Sequence, residues 1–324
     1  MKFRKLGEEY IATSIFNDYT AKAIRNVVKT FMQRAEIADT EDIDMESLAR
    51  FKVNTLKIVK PVTYNGYLRY LRLIGRYAVE QGILPDNPFK RIPLAPIGEL
   101  PKKTYKKNLF NQMVVWIQEH PAIVQPWWFW VAVVQTLFYT GMRRRQLVGL
   151  KLSDLNFVDR TVRLGYEGSK TKREWYVPMH PELAEGLEEY LIHYQMNAGV
   201  TLHPNSPLFS VYRFHPAYKH ENPFDHMKPE QITGFFKRLS RKMGVSVGAQ
   251  RFRHTLATLL CNPEDGGAPD IFAAQDILGH AKLETTRGYV EKDITRMCSA
   301  INRLSHRKSK KKYKKCTTSV ETEV

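Results

Sequence analysis

The chain has 324 residues, of which 43% are hydrophobic, enough for two domains of ordinary size with a sizeable core. Its formal net charge of +17 favours a nucleic-acid partner over a merely basic soluble protein, because binding energy then comes from neutralised phosphates. Three cysteines at unpaired spacings argue against a disulfide framework and a zinc site, and the most apolar run is too short to span a bilayer. Reduced thiols and the lack of an apolar signal segment predict a cytoplasmic, nucleoid-associated protein with no membrane partner.

Residues 1–89 are predicted to be helical throughout. Apolar residues at helical spacing run from Tyr19 to Glu36, and a shorter helix is expected from about Met45 to Leu56. The clearest pattern runs from Val62 to Gln81, where one face is apolar and Gly82 follows as a candidate C-cap. These helices predict an all-helical N-terminal domain.

Another face of the third helix carries Arg69, Arg72 and Arg76, which are three and four residues apart. Two interpretations stay open for them. The arginines form either an ordinary solvated face or, in a chain this basic, a stripe that binds the DNA backbone.

Residues 90–104 are predicted to link this domain to a second one. The stretch from Asn87 to Lys103 contains four prolines and has no hydrophobic period. Prolines make such a linker extended and fairly stiff, which suits a segment that holds two lobes on either side of a duplex.

Residues 105–306 are predicted to form a larger α+β domain, so that the whole chain is mainly α with a small β-sheet. Two strand-like runs, Asn156–Tyr166 and Arg173–Pro178, flank a basic turn. Helices are expected at 107–119, 126–140, 143–151, 181–197, 228–243, 249–261, 269–278, 282–290 and 293–305.

Two further stretches are predicted to be irregular. The segment 200–227 is predicted to be a loop by composition, and its histidines are His203, His215, His220 and His226. They have no cysteine or carboxylate at ligand spacing, so we expect no metal. Residues 307–324 begin with a run of Lys and Arg and are predicted to be a disordered tail, which either binds DNA or only keeps the protein soluble.

The larger domain carries side chains that can cut a DNA phosphodiester without a metal or cofactor. A tyrosine phenol stores the bond energy as a phosphotyrosine ester and frees a 5′-hydroxyl, so the strand can be resealed. Two guanidinium groups stabilise the anionic transition state. A lysine can protonate the leaving 5′-oxygen, and a histidine can hydrogen-bond the phosphate or take the phenol proton.

These side chains occur in a characteristic order. The segments are FYTGMRRRQLVGLKLSDL (138–155), GSKTKREWYVPM (168–179), QRFRHTLATLL (250–260) and DILGHAKLETTRGYV (276–290). In this order they resemble the catalytic domain of the tyrosine recombinase (phage integrase) family. The resemblance covers roughly residues 105–305, and in plan the chain is similar to the compact Xer-type and Cre-type enzymes.

The resemblance implies a role for each matched position. The catalytic set is Arg143 and Arg253 as the two arginines, Lys170 as the hairpin lysine, Gln250 where the family usually has histidine, His280 in the LGH element and Tyr289 as the nucleophile. The frame L-G-H-x-x-x-x-T-T-x-x-Y distinguishes this tyrosine among the 16 that the chain contains.

The chain departs from the family at one of these positions, 250, and at one position outside the set, 146. Gln250 cannot act as a base, but its amide can donate a hydrogen bond to a non-bridging oxygen, which implies a working site with an altered pH dependence. Gln146 takes the place of a usual glutamate. His254 is expected to be a histidine that packs the helix, and an ordinary C-capping role is the alternative for His280.

Other basic residues have two interpretations each. Lys172 competes with Lys170 on chemistry alone, because both lie in the same hairpin. Arg144 and Arg145 either hold neighbouring phosphates or are simply exposed.

The resemblance implies a site-specific recombinase that acts through a 3′-phosphotyrosine intermediate and a Holliday junction. It implies a recombination site in double-stranded DNA, a homo-tetramer on that DNA and accessory DNA-bending or directionality proteins, without a cofactor. The helix at 293–305 is the candidate for docking into a neighbouring subunit, with packing on its own domain as the alternative.

Three other functions are alternatives to a site-specific recombinase. A type IB topoisomerase shares the chemistry but relaxes supercoils as a monomer. A DNA-binding architectural protein that has lost catalysis is suggested by Gln250. A zinc-dependent nuclease lacks a ligand set.

Overall fold

The computed structural model describes residues 1–98, 104–106, 108–166, 173–198, 203–214, 225–263, 269–290 and 301. Several predictions lie outside these residues: Lys170, Lys172, the loop histidines His215 and His220, the basic tail, and all of the helix at 293–305 except Ile301. The chain divides into two compact units, Met1–Pro101 and Lys102–Val324. It is mainly α with one small sheet, as the sequence predicts.

The first unit is helical. Its helices are α1 (Phe3–Ala12), α2 (Asp18–Ala35), α3 (Met45–Leu56) and α4 (Pro61–Glu80). The three predicted helices are confirmed within one residue at either end. Side chains fix their starts: the Asn17 side chain accepts a hydrogen bond from the Thr20 N–H (2.9 Å), and Asp44 accepts one from Ser47 (2.7 Å).

An aromatic cluster forms the centre of the first unit. Phe31 lies with its ring centroid 5.1 Å from each of Phe3, Phe51 and Phe89, and all four side chains are fully buried. Because these rings come from α1, α2, α3 and the turn after α4, burying them holds all four helices together.

Much of the predicted linker packs on the first unit. Asn65 in α4 makes two hydrogen bonds of 2.8 Å with the backbone of Ala95, one as donor and one as acceptor. The guanidinium of Arg72 donates to the carbonyls of Phe89 (3.1 Å) and Ile92 (2.8 Å). Side chains of α4 thus bind the backbone at Ile92 and Ala95, in the first part of the predicted linker.

The second unit contains the remaining elements. They are α5 (Leu109–Glu119), α6 (Trp127–Thr140), α7 (Arg144–Gly149), β1 (Leu155–Asn156), β2 (Thr161–Leu164), β3 (Trp175–Pro178), α8 (Pro181–Ala198), α9 (Val211–Phe214), α10 (Pro229–Met243), α11 (Ala249–Cys261), α12 (Ile271–Leu278) and α13 (Leu283–Arg287). Helix α6 is the most buried and packs against α5, α8 and α11.

The sheet corrects one predicted strand. The strand expected at Asn156–Tyr166 is two short antiparallel strands, β1 and β2, joined by a tight turn in which Arg160 has φ 48°. Strand β2 then pairs antiparallel with β3, with Val162 opposite Val177. Phe157 and Val158 followed by the polar run Asp159–Thr161 interrupt the alternation there, and the sequence interpretation passed over this turn signal.

Tyr105 fixes the start of the second unit on α11. Its backbone N–H donates to the Thr255 hydroxyl (2.9 Å), and its phenol donates to the Gly248 carbonyl (2.8 Å). Its ring lies 4.9 Å from that of Phe252. The helix that carries the second family arginine is thereby anchored at its first turn.

The described residues were compared with the requirements for a membrane-spanning helix and for a metal site, and they meet neither. None of their helices is long and apolar enough to cross a membrane. In the same ranges, no group of three or more His, Cys, Asp or Glu side chains is placed to hold a metal ion.

Candidate active site

Arg253 is the most buried charged residue of the site. It lies on α11, is 2% exposed, and its two terminal nitrogens donate to the carbonyls of Gly141 (2.9 Å) and Leu278 (2.6 Å). Burial and then the nearby charge of Arg143 lower the pKa of Arg253 to about 10, so it stays protonated at neutral pH. The helix ends at 141 and 278 thus hold a charged guanidinium inside the domain.

Gly141 explains why a Thr-Gly break precedes the first arginine. It ends α6 in the left-handed conformation, with φ +59°. A Cβ at this position would lie 2.8 Å from a Leu278 methyl group and 2.9 Å from a Leu256 methyl group, so glycine allows the end of α6 to lie close to these side chains. The close approach places the Gly141 carbonyl within reach of Arg253.

Arg143 lies immediately before α7, where Gln146 fixes the turn. The Gln146 side-chain oxygen accepts a hydrogen bond of 3.0 Å from the Arg143 backbone N–H. The Arg143 side chain is half-buried, and its Nη1 is buried with no hydrogen-bond partner among the described residues. Burial lowers the pKa of Arg143, whereas the nearby Tyr289 raises it. A buried donor without an acceptor is a feature of anion sites.

Tyr289 lies two residues beyond α13 and is only 6% exposed. Its ring packs in a small apolar cluster with Ala257, Cys261 and Leu278, and its carbonyl accepts a hydrogen bond from Asn262 (2.9 Å). The predicted helix at 282–290 ends earlier, at Arg287. Burial raises the pKa of the Tyr289 phenol, and the charges of Arg253 and Arg143 oppose that rise.

His280 stacks beside this tyrosine. The two ring planes are parallel within 8°, with centroids 6.2 Å apart, and His280 Nδ1 lies 2.9 Å from the Thr286 hydroxyl. Gly279 ends α12 with φ +59°, and the ring of Trp175 from β3 lies where a Cβ would be. Strand β3 is thereby attached next to the histidine, and the segment between β2 and β3, which contains Lys170 in sequence, leads into this strand.

His254 was missed as a site residue. The sequence interpretation assigned it to helix packing, but its Nδ1 lies 2.7 Å from the Tyr289 phenol oxygen. The ring centroids are 5.7 Å apart. One signal was available: His254 follows Arg253 directly and lies one turn after Gln250, so it shares the helix face of the expected base position.

Gln250 is exposed in the first turn of α11. It lines a cavity of about 220 Å³ together with Arg144, Thr233 and Lys237. The Arg144 guanidinium hydrogen-bonds the Thr233 hydroxyl, and both Arg144 and Arg145 are exposed. Gln250 is therefore on the same helix as Arg253, but at the open edge of the site.

The arginines on α4 differ from one another. Arg69 and Arg76 are exposed, and Arg76 lies 3.7 Å from Glu80. Arg72 is occupied by the two carbonyls described above, which gives it a structural role that the spacing did not predict. DNA binding by all three stays a prediction.

The sequence profile of the phage integrase family matches residues 130–296, which is just over half of the chain. The matched range includes every catalytic position named above. The chain belongs to the phage integrase family. It is a tyrosine recombinase, one of a family of enzymes that cleave and rejoin DNA.

A curated relative agrees with this assignment along nearly the whole chain. The putative tyrosine recombinase XerC of Pseudomonas syringae is 27% identical over 328 aligned positions, which cover 97% of this chain. The chain spans 66% of that relative's own length.

Solved structures share the fold. The Tn1549 transposon integrase in complex with a circular intermediate DNA has a TM-score of 0.72 at 18% identity and is covered completely, by 94% of this chain. A lambda integrase tetramer bound to a Holliday junction has a TM-score of 0.66 at 17% identity, covering 90% of this chain and 78% of that one. At these identities the likeness shows the two-domain recombinase architecture.

In this tyrosine recombinase, four of the six predicted catalytic residues converge. The charges of Arg143 and Arg253 lower the pKa of Tyr289, and the ring of His280 stacks with its ring. These four residues lie on or next to different helices. Two positive charges beside a protonated phenol, in a largely buried setting, suit an anionic transition state. Lys170 lies outside the described residues.

Proposed function

We propose that this recombinase cuts and rejoins double-stranded DNA at a specific site through a 3′-phosphotyrosine intermediate. The observation that carries the proposal is the convergence of Tyr289 on two partly or wholly buried guanidinium groups. Desolvated like charges repel each other, so a phosphate between Arg143 and Arg253 relieves an unfavourable pair.

The residues have distinct parts in the reaction. The buried Nη1 of Arg143 gains an acceptor in a non-bridging phosphate oxygen. The Tyr289 phenol oxygen attacks phosphorus, and the 5′-oxygen leaves with a proton that Lys170 supplies. His280 orients the phenol ring by stacking and, with Gln250, is a hydrogen-bond donor to the phosphate. Rejoining reverses these steps, so no external energy source is needed.

Strand exchange is proposed to need four copies and to pass through a Holliday junction. The lambda integrase tetramer on such a junction supports this assembly, and the Tn1549 integrase on circular intermediate DNA supports a mobile-element context. The predicted helix at 293–305 is the proposed contact between subunits. Accessory DNA-bending proteins and a cytoplasmic, prokaryotic setting complete the proposal, and the bacterial source of the XerC relative supports that setting.

The test is covalent trapping on a nicked DNA site. The Tyr289→Phe variant is used to select its preferred duplex from a random pool, and a nick is placed in that duplex so that cleavage becomes irreversible. The unchanged protein is expected to form a covalent adduct that survives denaturation, and Tyr289→Phe is expected to bind the same duplex without forming it. An adduct that still forms with Tyr289→Phe would show that the nucleophile is another residue.

The same experiment separates the rival functions. Glutamine at position 250, where the family usually has histidine, is the feature that suggests the DNA-binding architectural protein, which would bind the selected duplex but form no adduct. A topoisomerase-like enzyme relaxes supercoiled plasmid that lacks the selected site, whereas a site-specific recombinase does not.

A further inference from the structure

The nucleophile of this site needs a proton acceptor that its sequence lacks at the usual place. Burial raises the pKa of the Tyr289 phenol, so the phenol is protonated at neutral pH. A protonated phenol is a weak nucleophile until a base takes its proton. Gln250 has no basic atom, and its side chain is exposed at the start of α11.

The structure provides a base one helical turn further along. His254 lies four residues after Gln250 on α11, so the two side chains share a face. His254 Nδ1 and the phenol oxygen of Tyr289 are 2.7 Å apart, which is within the range for direct proton transfer. Resting on the proposed function, we infer that His254 is the general base of the cleavage step and that it replaces the residue missing at position 250.

In the cleavage step, one proton moves to His254 and another moves to the leaving oxygen. The neutral imidazole carries its proton on Nε2 and accepts the phenol proton at Nδ1 while the phenol oxygen of Tyr289 forms a bond to phosphorus. The bond between phosphorus and the 5′-oxygen breaks, and that oxygen leaves as a hydroxyl after protonation by the general acid, proposed to be Lys170. In the rejoining step, the imidazolium of His254 returns its proton to the departing phenol oxygen.

The surroundings of the pair favour this transfer. Arg253 and Cys261 face Tyr289 from α11, Arg143 faces it from the start of α7, and His280 stacks on it from the end of α12. The two guanidinium charges stabilise the phenolate as it forms, because both lower the pKa of Tyr289. The arginines therefore offset part of the pKa increase caused by burial, and the base has to overcome only the remainder.

The inference is tested by the rate of adduct formation as a function of pH. The probe is the nicked duplex selected by Tyr289→Phe. His254→Ala is expected to slow adduct formation by about 10²- to 10³-fold at neutral pH, the range for loss of a general base, with binding of the duplex unchanged. In the unchanged protein the rate falls at low pH as the imidazole becomes protonated. In His254→Ala that dependence on the imidazole is lost, and the rate rises with pH as the phenol itself ionises.

Two further variants separate catalysis from packing. Gln250→His in the His254→Ala background is expected to recover at least about tenfold of the lost rate, because a base returns to the same helix face. His203→Ala is the matched control, since this exposed histidine lies in the segment before α9, and its rate and pH profile should equal those of the unchanged protein.

The outcomes also separate this inference from the proposed function. If the unchanged protein forms an adduct and Tyr289→Phe does not, the proposed function holds. If His254→Ala then reacts within about twofold of the unchanged rate, or reacts slowly with an unaltered pH profile and no recovery by Gln250→His, His254 is not the base.

Discussion

Helices α4 and α11 both carry arginines, but the surroundings of these arginines differ. On α4, Arg69 and Arg76 are exposed, and Arg72 is half-buried and held by two backbone carbonyls. On α11, Arg253 is also held by two backbone carbonyls, but it is buried next to Arg143 and Tyr289.

The difference shows what makes a buried arginine functional. Hydrogen bonds to carbonyls satisfy a guanidinium and fix a loop, which is a structural role wherever it occurs. A second desolvated positive charge has no structural use, because it lowers the stability of the fold unless an anion arrives. The pair of Arg143 and Arg253, rather than either residue alone, is therefore the feature that supports the proposed phosphate site.

The largest effect should come from Arg253→Ala. Adduct formation on the nicked duplex is expected to fall by about 10²- to 10³-fold, as for other preorganised charge donors. The free energy of unfolding should fall as well, by about 2–3 kcal/mol, because the carbonyls of Gly141 and Leu278 lose their donors. Quench-flow trapping and urea denaturation measure the two quantities.

Arg143→Ala is the matched comparison for that variant. It should lose a similar factor in rate with no loss of stability, because its buried Nη1 has no partner to lose among the described residues. Equal destabilisation by the two substitutions would contradict the view that only the hydrogen bonds of Arg253 stabilise the fold.

The next effect concerns the glycine that brings β3 to the site. Gly279→Ala is expected to lower the free energy of unfolding by about 2–3 kcal/mol, because φ is +59° and a Cβ would lie 2.5 Å from the Trp175 ring. Gly66→Ala, in the middle of α4, is the control. Nothing lies within 4 Å of its Cβ position, so this change should raise stability by about 0.5–1 kcal/mol. Thermal or urea unfolding of both variants measures the contrast.

The sequence predicted much of the fold because long amphipathic helices have a strong period. Most described helices agree with their predicted bounds within about two residues, whereas the turn that separates β1 from β2 was not predicted and lies inside the single strand expected at Asn156–Tyr166. The Pro-rich segment after 89 was predicted to be an extended, fairly stiff linker, and its attachment to α4 was not foreseen. Its hydrogen bonds come from Asn65 and Arg72, which are distant in sequence.

The same limit applies to the candidate site. The ordered motifs placed Arg143, Arg253, His280 and Tyr289, and these residues do converge. The contact of His254 with the phenol depends on how the chain after α13 returns to α11, and no local pattern encodes that path. Residue type at position 250 showed that a base was missing, but only the fold shows which side chain can replace it.

The smallest effects on stability are expected on α4, where one helix carries both a hydrogen-bonded arginine, Arg72, and an exposed one, Arg69. Arg72→Ala should lower the free energy of unfolding by about 1–2 kcal/mol, because the carbonyls of Phe89 and Ile92 lose their donor. Arg69→Ala should change stability by less than about 0.5 kcal/mol, since the side chain is exposed. If Arg69 contacts a phosphate, its removal reduces the slope of log affinity against log salt by about 1 and weakens binding to all duplexes alike. Salt titrations of DNA binding distinguish this from a solvated face, for which the slope stays unchanged and the stripe has no part in recognition.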